Sequence, residues 1–462
     1  MGGGCDSVGV GGCWLGGCYN VFTKKFGDGA VNLLEAKVVL ANGSFVTANK
    51  VSHPDVFWTL RGGGGGNIAV VTEFTARTHP APRYTSSSGF YGTARDLAGF
   101  KVLLKRVLKG LAETNQWPLE QQCASGSPRW DVAQFTASLG CRHWEGDPNK
   151  TAALYQPMID WCKLPAQQLL GLKCSVHASI TWKQSEYRPH SKLWDNASFI
   201  PTEWVGNEPW ISYHADREIS TALVGSMSKY IPMRGCTDDG LAGEMVDGII
   251  KIEAILRNMS NPAGGIHVLD GPTGDKSQSG MPPEIAARFR ETALNPVLLE
   301  APAMWLIMLN IPSLPQLPAS SRLLKSLWPR LQQYAVLSHA DPLWSPCEAG
   351  AAGDEAKASE CMDGWSARLP AFIAQVSEIR KILWETFPNQ KDGKPYSGSY
   401  WNEADYEDPA FQASHWGTNY PRLLSLKKQY DPQGLFYGHH SVGSELWSAD
   451  GNCRLASTPT DE

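Results

Sequence analysis

The sequence predicts a mixed α+β chain, and three observations carry that reading. Two β-prone runs, Leu34 to Leu40 and Phe45 to Thr47, flank Asn42-Gly43, a dipeptide that tolerates positive φ and so closes a tight hairpin. Apolar residues recur at helical spacing in Asp96–Leu111, Thr151–Leu164, Ser320–Val336 and Ala367–Phe387. The glycine-rich matches to a dinucleotide fingerprint neither follow a strand nor open a helix, so no Rossmann unit is expected.

In chain order, residues 1–20 are rich in glycine but interleaved with Val8, Val10, Trp14 and Leu15, which a plain linker would not carry. After the hairpin, His53-Pro54-Asp55 opens a short helix through Leu60, with Pro54 near its first position. Arg61 precedes five glycines, Gly62 to Gly66, then Asn67 and a strand-like stretch from Ile68 to Thr78 that Pro80 and Pro82 end. From 84 to 395 the composition is that of an ordinary mixed domain, with strand-like runs at Lys173–Trp182 and Met304–Ile311 and Pro/Gly/Ser-rich connectors at 260–283 and 346–360. This stretch holds no HExxH, paired CxxC, phosphate loop or GxSxG. The last segment carries Tyr400-Trp401-Asn402, then a helix Pro421–Tyr430 stopped by Asp431-Pro432.

Composition narrows the function. With 462 residues, 42% hydrophobic and 19% charged, the chain buries a sizeable core and is not disordered as a whole. A net charge of −5 does not suit a basic nucleic-acid binder. The most apolar stretch, Val297 to Ile311, is broken by Glu300, Pro302 and Asn310, and reads as buried core rather than a membrane span. Eleven cysteines and four sequons, at Asn42, Asn149, Asn196 and Asn258, favour an oxidising, secretory setting and a glycoprotein with disulfides. The chain opens without a signal peptide, so the expectation is a secreted full-length ancestor whose true start is missing here. Cys5, Cys13 and Cys18 lack a second ligand pair at zinc spacing, so no metal is expected. For Cys13 and Cys18 a structural disulfide and a plain buried thiol both remain open.

The two glycine tracts, Gly9–Gly17 and Gly62–Gly66, admit two readings. They are mobile loops, or they are held loops whose backbone, free of Cβ, approaches a flat or phosphorylated ligand and offers it peptide N–H groups. The apolar flanks Phe57 to Leu60 and Val70-Val71 favour the second.

The motifs resemble those of the berberine-bridge-enzyme-like FAD-linked oxidases, within the vanillyl-alcohol-oxidase, PCMH-type superfamily. The resemblance runs through Gly4-Cys5-Asp6-Ser7-Val8-Gly9-Val10-Gly11-Gly12, Leu15-Gly16-Gly17, Asp55 to Asn67 and Val70-Val71-Thr72. It resumes at Tyr400-x-Asn402, Trp416 to Leu423, Lys427, Tyr430-Asp431-Pro432 and Leu435-Phe436. It implies an incomplete FAD-binding domain at 1–83 and a substrate domain at 84–395, with an antiparallel sheet covered by helices. A segment at 396–450 would return to the flavin domain, leaving a tail at 451–462.

It also implies roles. Cys5 would be bonded to the flavin, leaving ten cysteines to pair. Val8, Gly9, Val10, Gly11, Gly12, Gly16, Gly17, Gly65, Gly66, Asn67 and Val70 would line the ring, with Asn402 on the flavin side. Tyr400 would be the base that takes a substrate proton while hydride leaves for the flavin; the alternative is a packed aromatic beside Trp401. Departures are Cys13 where histidine is common, Cys18 and Asn20 where glycine is usual, and Ile68-Ala69 for an aromatic-glycine pair.

The upstream stretch that cradles the FAD pyrophosphate and bears the second flavin-bonded residue is not expected within this chain. The intact Cys5, Gly-rich and Tyr-x-Asn motifs nevertheless imply, by resemblance, an oxidase acting on an alcohol, sugar or secondary metabolite with O2 as acceptor, while the missing cradle weighs toward the alternatives. A separate polypeptide carrying the N-terminal FAD subdomain would be its partner. The alternative is a flavin-less, non-redox subunit or truncated product.

Overall fold

We describe the fold from a computed structural model over residues 8–20, 22–80, 82–114, 117, 123, 125–183, 204–205, 208–209, 224–258, 265–269, 282–310, 371, 373–448 and 451–455. The helix expected at Ser320–Val336 and the connector at 346–360 lie outside these residues, as does Cys5. The connector expected at 260–283 is corrected where it is described, since Gly265–Leu269 form a strand and Pro283 opens a helix.

The N-terminal unit is a small sheet with a helix on it. Strands β1 (Leu33–Leu40) and β2 (Phe45–Asn49) form the expected hairpin, pairing Val39 with Phe45, with Gly43 at φ 81° in the turn. β3 (Ala69–Ala76) pairs antiparallel on the other side of β1, so the order is β2-β1-β3. Alternate β1 residues Ala36, Val38 and Leu40 turn inward onto Val56, Phe57, Leu60 and Ile68. Most of that apolar cover comes from the short helix Pro54–Leu60, which starts at the proline because a first-turn residue needs no N–H.

One expectation fails here. The first glycine tract is not an open loop: Val10–Gly16 form a helix, α1. Each interior glycine costs a helix about 1 kcal/mol, but burial of Leu15 in the β1–β3 core and the edge-on contact of Trp14 with Phe74 (5.6 Å) outweigh that preference.

A second unit holds two antiparallel sheets. β4 (Tyr84–Thr93), β5 (Ser125–Asp131), β6 (Thr136–Trp144) and β7 (Lys173–Lys183) run in the order β5-β6-β4-β7. β8 (Val224–Ile231), β9 (Gly265–Leu269) and β10 (Ala303–Asn310) run β8-β10-β9. Three helices supply the other side of this core: Leu97–Glu113 with Leu103, Leu104, Val107 and Leu111 fully buried at three- and four-residue spacing, Asp239–Asn258, and residues 373–386. The antiparallel sheet under helices matches the expected α+β class, and within Val297–Ile311 Val297, Leu298 and residues 301–307 are buried while Glu300 is exposed.

The stretch Thr151–Leu164 is a further correction. It divides into Pro148–Ala153 and Gln156–Cys162, because Pro157 has no N–H to continue the first helix and instead sits in the first turn of the second. The pairing of ten cysteines also fails. Cys13–Cys18, Cys123–Cys141 and Cys162–Cys174 are disulfides, but Cys236 and Cys453 are free thiols among the described residues. Cys236 is packed in the helical core, where burial raises its thiol pKa to about 12.

The C-terminal segment runs back to the N-terminal unit. Helix Tyr420–Tyr430 lays Leu423 and Leu426 against Trp58, while Arg422 stacks over Trp58 at 4.0 Å and bonds Asp55 at 2.8 Å. Buried Lys427 donates to the Asn67 carbonyl (2.6 Å), the Asp431 carboxylate (2.6 Å) and the Phe436 carbonyl. That ammonium lies at the join between the pentaglycine loop and the end of the chain.

Candidate functional site

The two ends of the sequence meet at Tyr400. Its backbone N–H donates to Ser228 Oγ (2.9 Å), the N–H of Tyr230 donates to the Gly398 carbonyl (2.9 Å), and Ser397 Oγ donates to the Tyr230 carbonyl (2.7 Å). The segment 397–400 is thereby fastened to strand β8, a rigid support for the Tyr400 side chain. The phenol oxygen then accepts two N–H groups, from the Cys18 backbone at 3.0 Å and from Asn402 Nδ2 at 2.7 Å. Asn402 Nδ2 also donates to the Cys13 carbonyl at 3.1 Å. Tyr19 stands edge-on to the Tyr400 ring at 4.9 Å and donates its hydroxyl to the Glu403 carboxylate.

The electrostatics of that phenol are divided. Burial to 5% exposure pushes its pKa well above the ordinary tyrosine value, and the nearby Glu403 and Asp28 charges push the same way. The two donated N–H groups pull it back down, since an anionic oxygen is the better acceptor. Burial wins, and the resting side chain is a neutral phenol.

Asp28 is a residue that sequence reasoning missed. It caps the turn Gly29–Asn32 by accepting the Val31 N–H at 2.9 Å, and burial raises its pKa to about 7. A Cβ built on Gly17 would meet both the Tyr400 ring (3.2 Å) and Asp28 Oδ2 (3.4 Å), so the two side chains press on the same glycine. In the sequence Gly27-Asp28-Gly29 reads as an ordinary solvated turn. In the fold Asp28 is 1% exposed, and the adjacent Ala30 and Val31 belong to a buried cluster with Tyr230, Leu294 and Leu298.

The expected cofactor residues fall into two groups. Gly16 and Gly17 are buried: a Cβ on Gly16 would lie 2.5 Å from Asn402 Oδ1. In the second tract a Cβ on Gly64 would lie 2.8 Å from Trp401, and the amides of Gly62 and Gly64 both donate to the Leu15 carbonyl (3.1 and 2.9 Å). Asn67 is buried and turned into its own loop, donating to the Gly63 carbonyl (2.5 Å) and accepting the Val442 N–H (3.0 Å).

The other group forms an open ledge. Nothing lies within 4 Å of a Cβ built on Gly9, Gly12 or Gly66, Gly11 and Gly65 meet only Phe74 and Leu15 at ordinary contact distance, and Val8, Val10 and Val70 are 40%, 46% and 54% exposed. Gly12 and Gly16 are one turn apart on α1, so a single glycine face runs from this ledge toward Asn402. A bare backbone rimmed by valines, ending at a hydrogen-bonded phenol, fits one side of a flat heteroaromatic ring. A cleft of about 410 Å³ lies elsewhere, lined by Lys109, Met233, Arg234, Glu300 and Tyr396, and none of the expected site residues borders it.

Comparison with known proteins agrees with the recognition made on the sequence. Residues 399–443 match the family model described as berberine and berberine like. An uncharacterized FAD-linked oxidoreductase of Arthroderma benhamiae is 25% identical over 451 residues, covering 97% of this chain and 61% of its own length. A flavin-dependent oxygenase of Aspergillus ustus is 25% identical over 466 residues, covering 98% and 66%. The chain thus spans less than two thirds of the length of these curated relatives. Among solved structures, a VAO-type flavoprotein from Myceliophthora thermophila superposes with a TM-score of 0.58 at 20% identity, over 98% of this chain and 65% of its own. The glucooligosaccharide oxidase of Acremonium strictum, described with 6-S-cysteinyl, 8α-N1-histidyl FAD, gives 0.58 at 20% identity over 96% and 73%.

Proposed function

We propose that this chain, which has the VAO-type fold and a berberine-like C-terminal segment, carries the substrate-facing side of an FAD-dependent oxidase. The observation that carries the reading is the pair of N–H donors, Cys18 and Asn402, converging on the Tyr400 phenol from opposite ends of the sequence. A phenol used as a base needs such donors at the oxygen where charge develops.

Val8, Gly9, Val10, Gly11, Gly12, Gly65, Gly66 and Val70 would lie along the ring, with Gly16, Gly17 and Asn402 at its substrate end and Cys5 as the covalent link. Bound FAD supplies a two-electron acceptor for a substrate C–H and passes the electrons to O2. Tyr400 acts in its ionised form, reached when the resting phenol first gives its own proton to solvent, and then takes the hydroxyl proton of a carbinol substrate, an alcohol or a sugar, at its phenol oxygen. Cys18 N–H and Asn402 Nδ2–H stabilise the charge left there before the proton arrives. Asp28 modulates that step: its charge opposes ionisation of Tyr400, so a protonated Asp28 favours the base. Asn67 and Lys427 hold the loop rather than the ligand.

Three disulfides and the exposed Asn42 and Asn149 sequons support a secretory, glycosylated protein. A small-molecule substrate, O2 and a separate polypeptide carrying the N-terminal FAD subdomain are the proposed partners.

The test is flavin incorporation. The chain is produced alone and together with the part of a longer relative that it does not span, then acid-precipitated. Yellow colour in the pellet of the combined form, lost in Cys5→Ala, and H2O2 release from an alcohol or sugar are expected. A colourless product in both forms would favour the non-redox subunit instead.

A further inference from the structure

The two cysteines that depart from the family pattern sit on either side of the proposed base. Cys18 offers its N–H to the Tyr400 phenol, and Cys13 offers its carbonyl to Asn402. The same two residues are joined as a disulfide across five positions, with Cα atoms 4.8 Å apart. Between them lie Gly16 and Gly17, the latter at φ 131°, and glycines leave a backbone free to rotate. Cys18 itself is held at φ 63°, a left-handed conformation that a side-chain-bearing residue rarely takes unless its surroundings impose it. The cross-link ties the residue after the Gly-Gly pair back onto α1 and so restricts the direction of the Cys18 N–H. Two further bonds, Gly29 N–H to the Cys18 carbonyl (3.1 Å) and Ala30 N–H to the Gly17 carbonyl (2.9 Å), hold the far side of the turn. Neither bond uses a sulfur atom of the cross-link.

We propose that the Cys13–Cys18 disulfide is a positioning device for Tyr400 and Asn402, aiming one backbone donor and one backbone acceptor at the pair. This rests on reading Tyr400 as the base, and its test needs no flavin. In the full chain with ¹³Cζ-labelled tyrosine, Tyr400→Phe identifies the Tyr400 resonance.

The variant Cys13→Ser/Cys18→Ser is expected to shift or broaden that resonance and to speed exchange of the Cys18 amide by at least about tenfold, the loss of one locally closed hydrogen bond. Amides of the β1–β3 ladder, such as Val38 and Val71, should exchange as before. The control Cys123→Ser/Cys141→Ser should leave the Tyr400 resonance unchanged. If the double variant does not fold, the parent chain reduced by a phosphine gives the same two readouts, with the opened bond identified by peptide mapping. The phosphine is oxidised to its oxide as the disulfide becomes two thiols.

An unchanged Tyr400 resonance and Cys18 exchange rate, with the bond cut, would overturn the proposal. So would an equal response to loss of Cys123–Cys141. Failure of the functional reading looks different: a flavin-loaded Tyr400→Phe enzyme would then turn over at the parent rate whatever the disulfide does.

Discussion

Two ends of one glycine face behave differently. At Gly16 and Gly17 the absent Cβ is filled by Asn402, Tyr400, Asp28 and Leu294, so glycine is there for contact of the protein with itself. At Gly9 and Gly12 on the same segment, and at Gly66 in the second tract, the space is empty and the neighbouring valines are exposed. The same residue type thus serves two ends. One region packs against a phenol, and the other leaves backbone bare. Glycine content alone does not separate these uses, because both need the same missing atom.

The comparison can be broken from its buried end first. In the flavin-loaded protein Tyr400→Phe is expected to lower kcat by about 10²- to 10⁴-fold, the usual worth of a positioned acid–base group, with little change in KM. Turnover at the parent rate would remove Tyr400 from the chemistry.

Asp28→Asn tests the neighbour on Gly17. With its folded pKa raised to about 7, Asp28 binds more protons folded than unfolded. The stability it contributes is present below about pH 4 and falls as pH rises toward 7. The asparagine variant should lose that slope and gain up to about 4 kcal/mol at pH 8 relative to the parent, measured by denaturant unfolding across that window. A parent curve flat from pH 4 to 7 would contradict the raised pKa.

Next in size is Gly62→Ala. The added methyl would lie 2.7 Å from the Leu294 backbone nitrogen at a residue with φ 102°, a clash that no side-chain rotation relieves. A loss of about 2–3 kcal/mol is expected in the same unfolding assay. The smallest effect belongs to the open end. Gly12→Ala adds a methyl where nothing lies within 4 Å, inside a helix, and should stabilise by about 0.5–1 kcal/mol. The same variant should weaken flavin loading if the ledge carries the ring, which an equilibrium titration would show.

Much of the fold was legible from local chemistry. Asn42-Gly43 between β-prone runs led to the β1–β2 hairpin, Pro54 marked the start of its helix, and the apolar spacing of Asp96–Leu111 marked the helix that runs over Leu97–Glu113. These features depend on neighbours in sequence, where propensity and periodicity act. Where reading failed, the deciding partner was distant. α1 is helical because Leu15 and Trp14 reach the β1–β3 sheet, and glycine propensity argued the other way. Cys236 stays unpaired because the helical core enclosed it away from other described cysteines.

The sequence by itself determined the α+β class and the family likeness of both ends, and it singled out Tyr400 and Asn402 as candidates. Only the tertiary structure decided that the phenol oxygen is held by a backbone amide 382 positions away, and that Asp28 is a buried carboxyl beside it. The physical reason is that hydrogen-bond direction and desolvation are set by everything surrounding an atom. Those surroundings come from strands, helices and a returning C-terminal segment that no local window of residues contains.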